Sequence, residues 1–489
     1  MFKNGLYNLA GAFIRLVLGL VSVPVLVNVL GTETYGLYTI IMSVLTFATL
    51  SEWCVCLLLT VYIAKDISIY GNTDHTLQST LLIVLILSGV TGLMLWFISP
   101  LLAQFFDSSS TSQAKVFIEG CRISCIVVVA RIFQQYFIGL EQGYGDYKLM
   151  NALSTIYNVT LTISIVVCAW YYKAIIPILI VQGGLAIIGC IIHCYFCWQK
   201  KYMRYLNFSA PIDYRKFVDM LSYGFRTYIG VVGSAFFSQG DRIIIAKLLG
   251  FEVAGIYAAL TSIVTQINTL SAIPVQPIVS KIISEESSVE CTPTASIVST
   301  VKNAILLNAT LAVFIGSTIV LVAPEIVDIL FKGGLYRDKN LSMLLRLLTI
   351  AYVIYSLNAV GYYLLFALRL EYINTLTKLL CGLVTLLLIT LLALHYGLSG
   401  AIVGNFGYLL TLYLLFTGIS KMNIKPLTIL KNLYVPLVLF FISVIISITT
   451  DNIFLRIITG GLVCSVLIKP LLKEMFFVSR KPLSNTTIS

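Results

Sequence analysis

Leu30-Gly31-Thr32-Glu33-Thr34-Tyr35-Gly36-Leu37-Tyr38-Thr39 is echoed by Leu249-Gly250-Phe251-Glu252-Val253-Ala254-Gly255-Ile256-Tyr257-Ala258. The leucine, both glycines, the glutamate and the second tyrosine coincide, and Leu37 and Ile256 match in kind. Each copy sits between two long apolar runs, and the offset is 219 residues in a chain of 489. A short turn repeated at nearly half the chain length marks two copies of one multi-helix unit.

The composition says what solvent surrounds those units. The chain is 58% hydrophobic and 11% charged, against about 25% charged residues in soluble domains. Mean hydropathy is +0.96. So much apolar surface has no place in a water-soluble fold, and the chain reads as an all-α integral membrane protein. A net charge of +11 raises nucleic-acid binding, but positive loops on the cytoplasmic side explain it better, and no nucleic-acid partner is expected. Most of the eleven cysteines fall inside apolar runs, where a thiol behaves as a small hydrophobe. His193 beside Cys194 and Cys197 hints at a metal cluster, but no second Cys/His pair follows and core packing is favoured. The first apolar run lacks a small-residue cleavage site and is read as a retained span.

A membrane-crossing helix needs ~20 mostly apolar residues. Fourteen such runs lie near 7–30, 36–59, 79–105, 115–140, 148–170, 174–198, 217–240, 253–280, 302–330, 341–366, 371–394, 398–420, 430–450 and 453–472. With the N-terminus in the cytoplasm, eighteen Lys and Arg fall on the cytoplasmic side and eight on the other, so both termini are placed in the cytoplasm. The longest basic loop, Gln199 to Lys216, separates the copies. This gives an N-terminal six-helix lobe over 1–198, a basic cytoplasmic linker over 199–216, a C-terminal six-helix lobe over 217–420, and an added two-helix hairpin with tail over 421–489. Even-numbered units repeat in one orientation, so a pseudo-twofold axis along the membrane normal is expected to relate the lobes.

Ionisable groups inside spans are costly and face a cavity or a partner. Arg15, Arg122, Arg131, Arg226 and Arg346 qualify, with the acids Glu52, Glu119 and, at an edge, Asp241. In the first run Asn8, Gly11, Ala12, Arg15, Gly19 and Ser22 recur at helical spacing, a small and polar face suited to a water-filled cleft or to close packing. Arg15 lies ~12 Å in from Tyr7. Arg226 shares a similar stripe with Tyr223, Gly230 and Asp241, and snorkelling to the surface competes with cavity lining. Glu119 and Arg122 are spaced to pair. Arg131, nine residues on and ~180° round the helix, sits deeper beside Gln134 and Gln135. Glu52 pairs with Arg15 or titrates, or forms a structural salt bridge. Arg346 sits near a span end, where snorkelling is favoured. The interior is cationic overall, and arginine forks match phosphate and carboxylate oxygens.

There is no Gly-x-x-x-x-Gly-Lys-[Ser/Thr] loop, no His-Glu-x-x-His, and only three scattered histidines. No enzyme, cofactor or metal site is expected.

Asn8-x-x-Gly11-x-x-x-Arg15, then Pro24 and Leu30-Gly31-x-Glu33-x-Tyr35-Gly36-Leu37-Tyr38, resembles the opening of bacterial polysaccharide flippases of the O-antigen translocase type. These belong to the multidrug/oligosaccharidyl-lipid/polysaccharide exporter superfamily. Asp241-Arg242-Ile243-Ile244-Ile245 resembles the start of that family's second half, and Gly397-Leu398-Ser399-Gly400-Ala401 its turn between spans eleven and twelve. The chain departs from the family at Ser51-Glu52-Trp53-Cys54, where an Asp-Leu-Gly-like stretch is common, and in its two added spans. The resemblance implies a two-lobe transporter in the bacterial inner membrane. It would carry undecaprenyl-pyrophosphate-linked oligosaccharide from the cytoplasmic to the periplasmic leaflet by alternating access. Arg15, Arg131, Arg226, Arg122 and Arg346 are then the substrate-binding candidates, and Glu52 and Asp241 the candidates for proton or sodium coupling. Membrane lipids, a polysaccharide polymerase and chain-length proteins are the further partners considered. The alternative is an ion-coupled multidrug exporter of the same fold.

Overall fold

The computed structural model describes residues 17–70, 73–106, 111–204, 214–275, 295–331, 340–368, 370–422, 426–450 and 452–480. These residues are helical apart from short turns, with no strand among them. The chain divides into two compact units, Met1–Ala259 and Leu260–Ser489.

In the first unit α1 (Val17–Leu30) ends at Gly31 and α2 (Thr32–Ala48) follows at once. Then come α3 (Ser51–Tyr70), α4 (Asp74–Phe105), α5 (Thr111–Gly143), α6 (Tyr147–Tyr172), α7 (Ile175–Gln199) and most of α8 (Tyr214–Ala272). Helix α5 is central and packs on α3, α4 and α7. Small residues permit it: a Cβ at Gly120 would crowd Ile41 and Leu179, one at Gly139 would crowd Leu59 and Cys56, and one at Gly143 would crowd Ile63. Close backbone approach through small residues drives helix association where lipid removes the hydrophobic incentive. The apolar run read as one span over 36–59 is interrupted. Thr49 N–H bonds back four residues to Leu45 and Leu50 N–H only three to Phe47, a tightening that divides α2 from α3.

A straight helix of the length of α8, 59 residues, would run ~90 Å, three times the hydrocarbon thickness. Gly250, at φ 86°, breaks it, as Gly31, at φ 80°, breaks α1 from α2. Positive φ is a glycine conformation, and the two positions are equivalents in the repeat. The first glycine of the repeated turn thus has the same structural role in both copies.

The second unit holds α9 (Ala295–Leu321), α10 (Ala323–Leu330), α11 (Leu341–Ser356), α12 (Ala359–Ala367), α13 (Glu371–Gly404), a 3-10 segment (Asn405–Thr411), α14 (Leu412–Lys421), α15 (Pro426–Thr449) and α16 (Ile453–Arg480). Helix α9 is its hub, against α11, α15 and α16. Gly397, at φ 60°, breaks α13. Beyond it Gly400, Gly404 and Gly407 back onto Leu392, Ile389 and Thr385 in turn, so the chain folds back antiparallel along a glycine stripe. Among the described residues of the whole chain, seven helical stretches are long and apolar enough to cross a membrane, and three shorter ones are apolar. Leu93, Phe97, Ile163, Ile191, Leu383 and Leu391 are exposed, the outward apolar surface a bilayer requires.

Candidate functional site

Glu52 stands in the first turn of α3, where the helix N-terminus favours an acid. Its carboxylate Oε2 meets Arg131 Nη2 at 3.1 Å and accepts from Gln135 Nε2 at 3.2 Å. Arg131 and Gln135 lie one turn apart on α5, so one helix face delivers both donors. The Arg131 guanidinium carbon lies 5.8 Å from the centroid of the Tyr157 ring on α6, an aromatic face that stabilises a cation. Gly189 of α7 closes the group: a Cβ there would stand 2.9 Å from Tyr157 and 3.0 Å from Gln134 Nε2. The Gln134 and Gln182 carbonyl oxygens are buried with no hydrogen-bond partner. The Glu52 side chain is 7% exposed and that of Arg131 29%, so the acid is enclosed while the guanidinium keeps an accessible edge. Such a pair can exchange its carboxylate for another anion at the open edge of the arginine.

Two further contacts within this unit hold α8, one at its start and one just beyond its break at Gly250. At its start Lys216 Nζ meets Asp66 Oδ2 of α3 at 2.6 Å, and Tyr62 OH donates to Asp219 Oδ2 at 2.7 Å. Leu58, Tyr62, Ile83 and Met220 form an apolar cluster around them. Beyond its break the two repeat turns meet. A Cβ on Gly36 would overlap the Phe251 carbonyl oxygen, and a Cβ on Gly255 would overlap that of Thr32. Gly36 and Gly255 are related by the repeat offset, as are Thr32 and Phe251, so the contact is reciprocal, as at an isologous interface.

A family model described as "Polysaccharide biosynthesis protein" matches residues 1–283, more than half of the chain and the whole of the region just described. The chain belongs to this family. Among solved structures it is similar to lipid II flippase MurJ in an inward closed conformation, at 15% identity and TM-score 0.73, covering 96% of this chain and 99% of that one. It is also similar to an inward-facing multidrug resistance MATE family transporter of the MOP superfamily, at 13% identity and TM-score 0.69, covering 86% and 98%. A MOP superfamily transporter from Pyrococcus furiosus matches at 14% identity and TM-score 0.54, covering 86% and 94%. No curated protein sequence matches. At these identities the neighbours establish the fold, which is that of the MOP superfamily transporters.

In this polysaccharide biosynthesis family member the sequence-derived candidates separate. Arg15 lies outside the described residues, as do Asn8 and Gly11 of its face, and Arg226 is placed on α8 by its backbone only. Glu52 has Arg131 as its partner. The ion pair expected between Glu119 and Arg122 is not formed: Glu119 is exposed, and Arg122 turns to α4, its guanidinium 4.9 Å from the Trp96 ring centroid. Arg346 does not snorkel. It is 8% exposed, and its Nε donates to Ser447 Oγ at 2.9 Å, which donates in turn to the Val320 carbonyl. Packing of α11 against α15 and α9 encloses it before it can reach the surface. Asp241 is buried and accepts from Tyr257 OH and from the Arg242 N–H, each at 2.7 Å.

Three polar features escaped the sequence reading. His193 Nδ1 lies 2.9 and 3.1 Å from the two Glu141 oxygens, both side chains almost wholly buried. The His193 ring thus serves an acid on α5, and no cluster of three metal-ligand side chains occurs among the described residues. Lys378 sits inside an apolar run with its ammonium 4.0 Å from the Tyr362 ring centroid. One turn before it Asn374 donates to the Tyr362 carbonyl at 3.1 Å. The third is Asp66, beside Lys65, which had been read only as a loop charge. A lysine seven residues into the apolar run over 371–394 is the signal in the sequence that points to Lys378.

Proposed function

We propose that this protein flips a lipid-linked oligosaccharide with a pyrophosphate or acidic-sugar group, of the O-antigen or a related surface polysaccharide class, across the bacterial inner membrane by alternating access. The observation carrying this reading is the Glu52–Arg131 pair, a cation with an accessible edge built into a membrane-embedded unit of a polysaccharide biosynthesis family member. The anionic group displaces Glu52 from Arg131, and Arg15 and Arg226 are assigned to the same task from the adjoining spans. A proton or sodium ion then compensates Glu52, and Asp241 is the second coupling candidate. Arg346 is assigned to packing.

The architecture in this proposal is fourteen spans with both termini cytoplasmic: lobes over 1–198 and 217–420, a basic linker over 199–216 and a hairpin over 421–489. Reciprocal contact of the two repeat turns supports a pseudo-twofold relation between lobes. In this orientation the Lys216–Asp66 contact lies on the cytoplasmic side and the Gly36–Gly255 contact on the periplasmic side. Ion-coupled multidrug export is the less favoured reading. It needs an acid open to a cationic drug, whereas Glu52 is engaged by Arg131 and Gln135.

The test compares a strain lacking the gene with the complemented strain. Complete repeat units trapped on the lipid carrier, with surface polymer lost, are expected. Normal levels of both, with new drug sensitivity, would overturn the flippase in favour of the exporter.

A further inference from the structure

Helices α4, α5 and α7 enclose an apolar groove of about 540 Å³, within the range of small-molecule sites. Gly89, Gly92 and Trp96 of α4, Ile126 and Ala130 of α5 and Ile187 of α7 line it. A Cβ at Gly89 would meet nothing within 4 Å, so the missing side chain leaves open volume. Ile126, Ile187 and Trp96 are about half exposed. On α5 the groove runs from Cys125 to Phe133, a rise of ~12 Å, close to the ~15 Å of one leaflet's hydrocarbon.

Arg122 stands one turn beyond Cys125 on the end of α5 away from Phe133, stacked on the groove residue Trp96. Its Nε is buried without a hydrogen-bond partner. The two helices facing it offer no counter-ion: α4 after Asp74 and the whole of α7 contain no Asp, Glu, Lys or Arg. On α5 itself Lys115 and Glu119 are exposed and of opposite sign. A cation with free donors therefore caps an apolar slot one acyl chain deep, and an uncompensated charge at such depth is costly.

We infer that this groove binds an anionic phospholipid, one acyl chain lying along α5 and the phosphodiester on the Arg122 guanidinium. A single arginine matches the single charge of a phosphodiester. A carrier pyrophosphate carries more charge and calls for more cations.

Trp96 reports occupancy directly. With Trp53, Trp170 and Trp198 replaced by Phe, the full-length protein is reconstituted in phosphatidylcholine bilayers doped with acyl-brominated phosphatidylglycerol or, at the same mole fraction, acyl-brominated phosphatidylcholine. Trp96 quenching should show about a fivefold preference for phosphatidylglycerol, the gain from one arginine beside a lipid of net negative charge, since the choline cation of phosphatidylcholine neutralises the same phosphodiester. Arg122→Lys should keep most of that preference and Arg122→Gln should abolish it. Equal quenching by the two brominated lipids in the parent protein would overturn the inference. So would relief of quenching by undecaprenyl phosphate at a lower mole fraction than unlabelled phosphatidylglycerol, which would assign the groove to the carrier lipid.

Discussion

Gly36 and Gly255 are 219 residues apart and in contact, each lying where a side chain would strike the backbone of the other's turn. The sequence repeat is thus also a spatial pair: a helix from each copy approaches at the same residue, one turn after the same positive-φ glycine. A methyl group on either glycine has no flexible neighbour to displace, because a carbonyl oxygen occupies its place.

Gly36→Ala and Gly255→Ala should each lower the melting temperature of the purified protein, at a cost of about 1–3 kcal/mol for overpacking. Gly184→Ala is the control. Its Cβ would meet nothing within 4 Å, and alanine is the better helix former by ~1 kcal/mol, so that variant should be at least as stable as the parent. Unchanged melting in both contact variants would show that the turns do not touch in the membrane protein.

Arg131→Ala strands Glu52, which is 7% exposed. Removing one partner of a buried pair costs about 3–5 kcal/mol, and the partial exposure of Arg131 lowers the expectation to about 1–3 kcal/mol. The double variant Glu52→Met/Arg131→Met should recover most of this stability without recovering transport. A double variant as unstable as the sum of the two single changes would indicate that the pair is not coupled.

Lys216→Met should loosen the start of α8 from α3. A cysteine placed by Tyr62→Cys should then react faster with a membrane-impermeant thiol reagent than in the Lys216 background. The charge swap Asp66→Lys/Lys216→Asp should return the rate towards its starting value. Labelling unchanged by either alteration would show that this ion pair does not hold the start of α8 on α3.

His193→Ala leaves the buried Glu141 without its hydrogen-bonded imidazole, for which about 1–3 kcal/mol is expected. The protein should be recovered in lower yield, and the neutral pair His193→Gln/Glu141→Gln should restore yield. Full yield of His193→Ala would mean that Glu141 is held by other groups.

The parts of this fold legible in the sequence are those written locally. Gly31, Gly250 and Gly397 could be placed at breaks because each stands between apolar runs, and all three have positive φ. The interruption at Thr49–Leu50 was not legible, since no Gly or Pro marks it and both flanks are apolar. The types of residue at the candidate site were legible, a deep arginine and a deep acid. Their pairing was not, because Glu52 and Arg131 are 79 residues apart and meet only through the rotation of α5 against α3. The same limit misplaced Arg346, whose depth was read from the end of its run when the neighbouring helices α9 and α15 decide its exposure. It also paired Arg122 with Glu119 along the helix, where the competing Trp96 ring came from a different one.

The central claim is that Arg131 serves an anionic lipid-linked substrate during translocation, and reconstituted transport tests it most directly. Proteoliposomes would carry a short-chain fluorescent lipid-pyrophosphoryl oligosaccharide, and its protection from an external quencher would be followed over time. The parent protein should move it between leaflets. Arg131→Ala should be slower by at least tenfold at equal protein content, and Arg131→Lys should fall between, since an ammonium keeps the charge but not the guanidinium fork. Equal rates for the parent and Arg131→Ala would contradict the account.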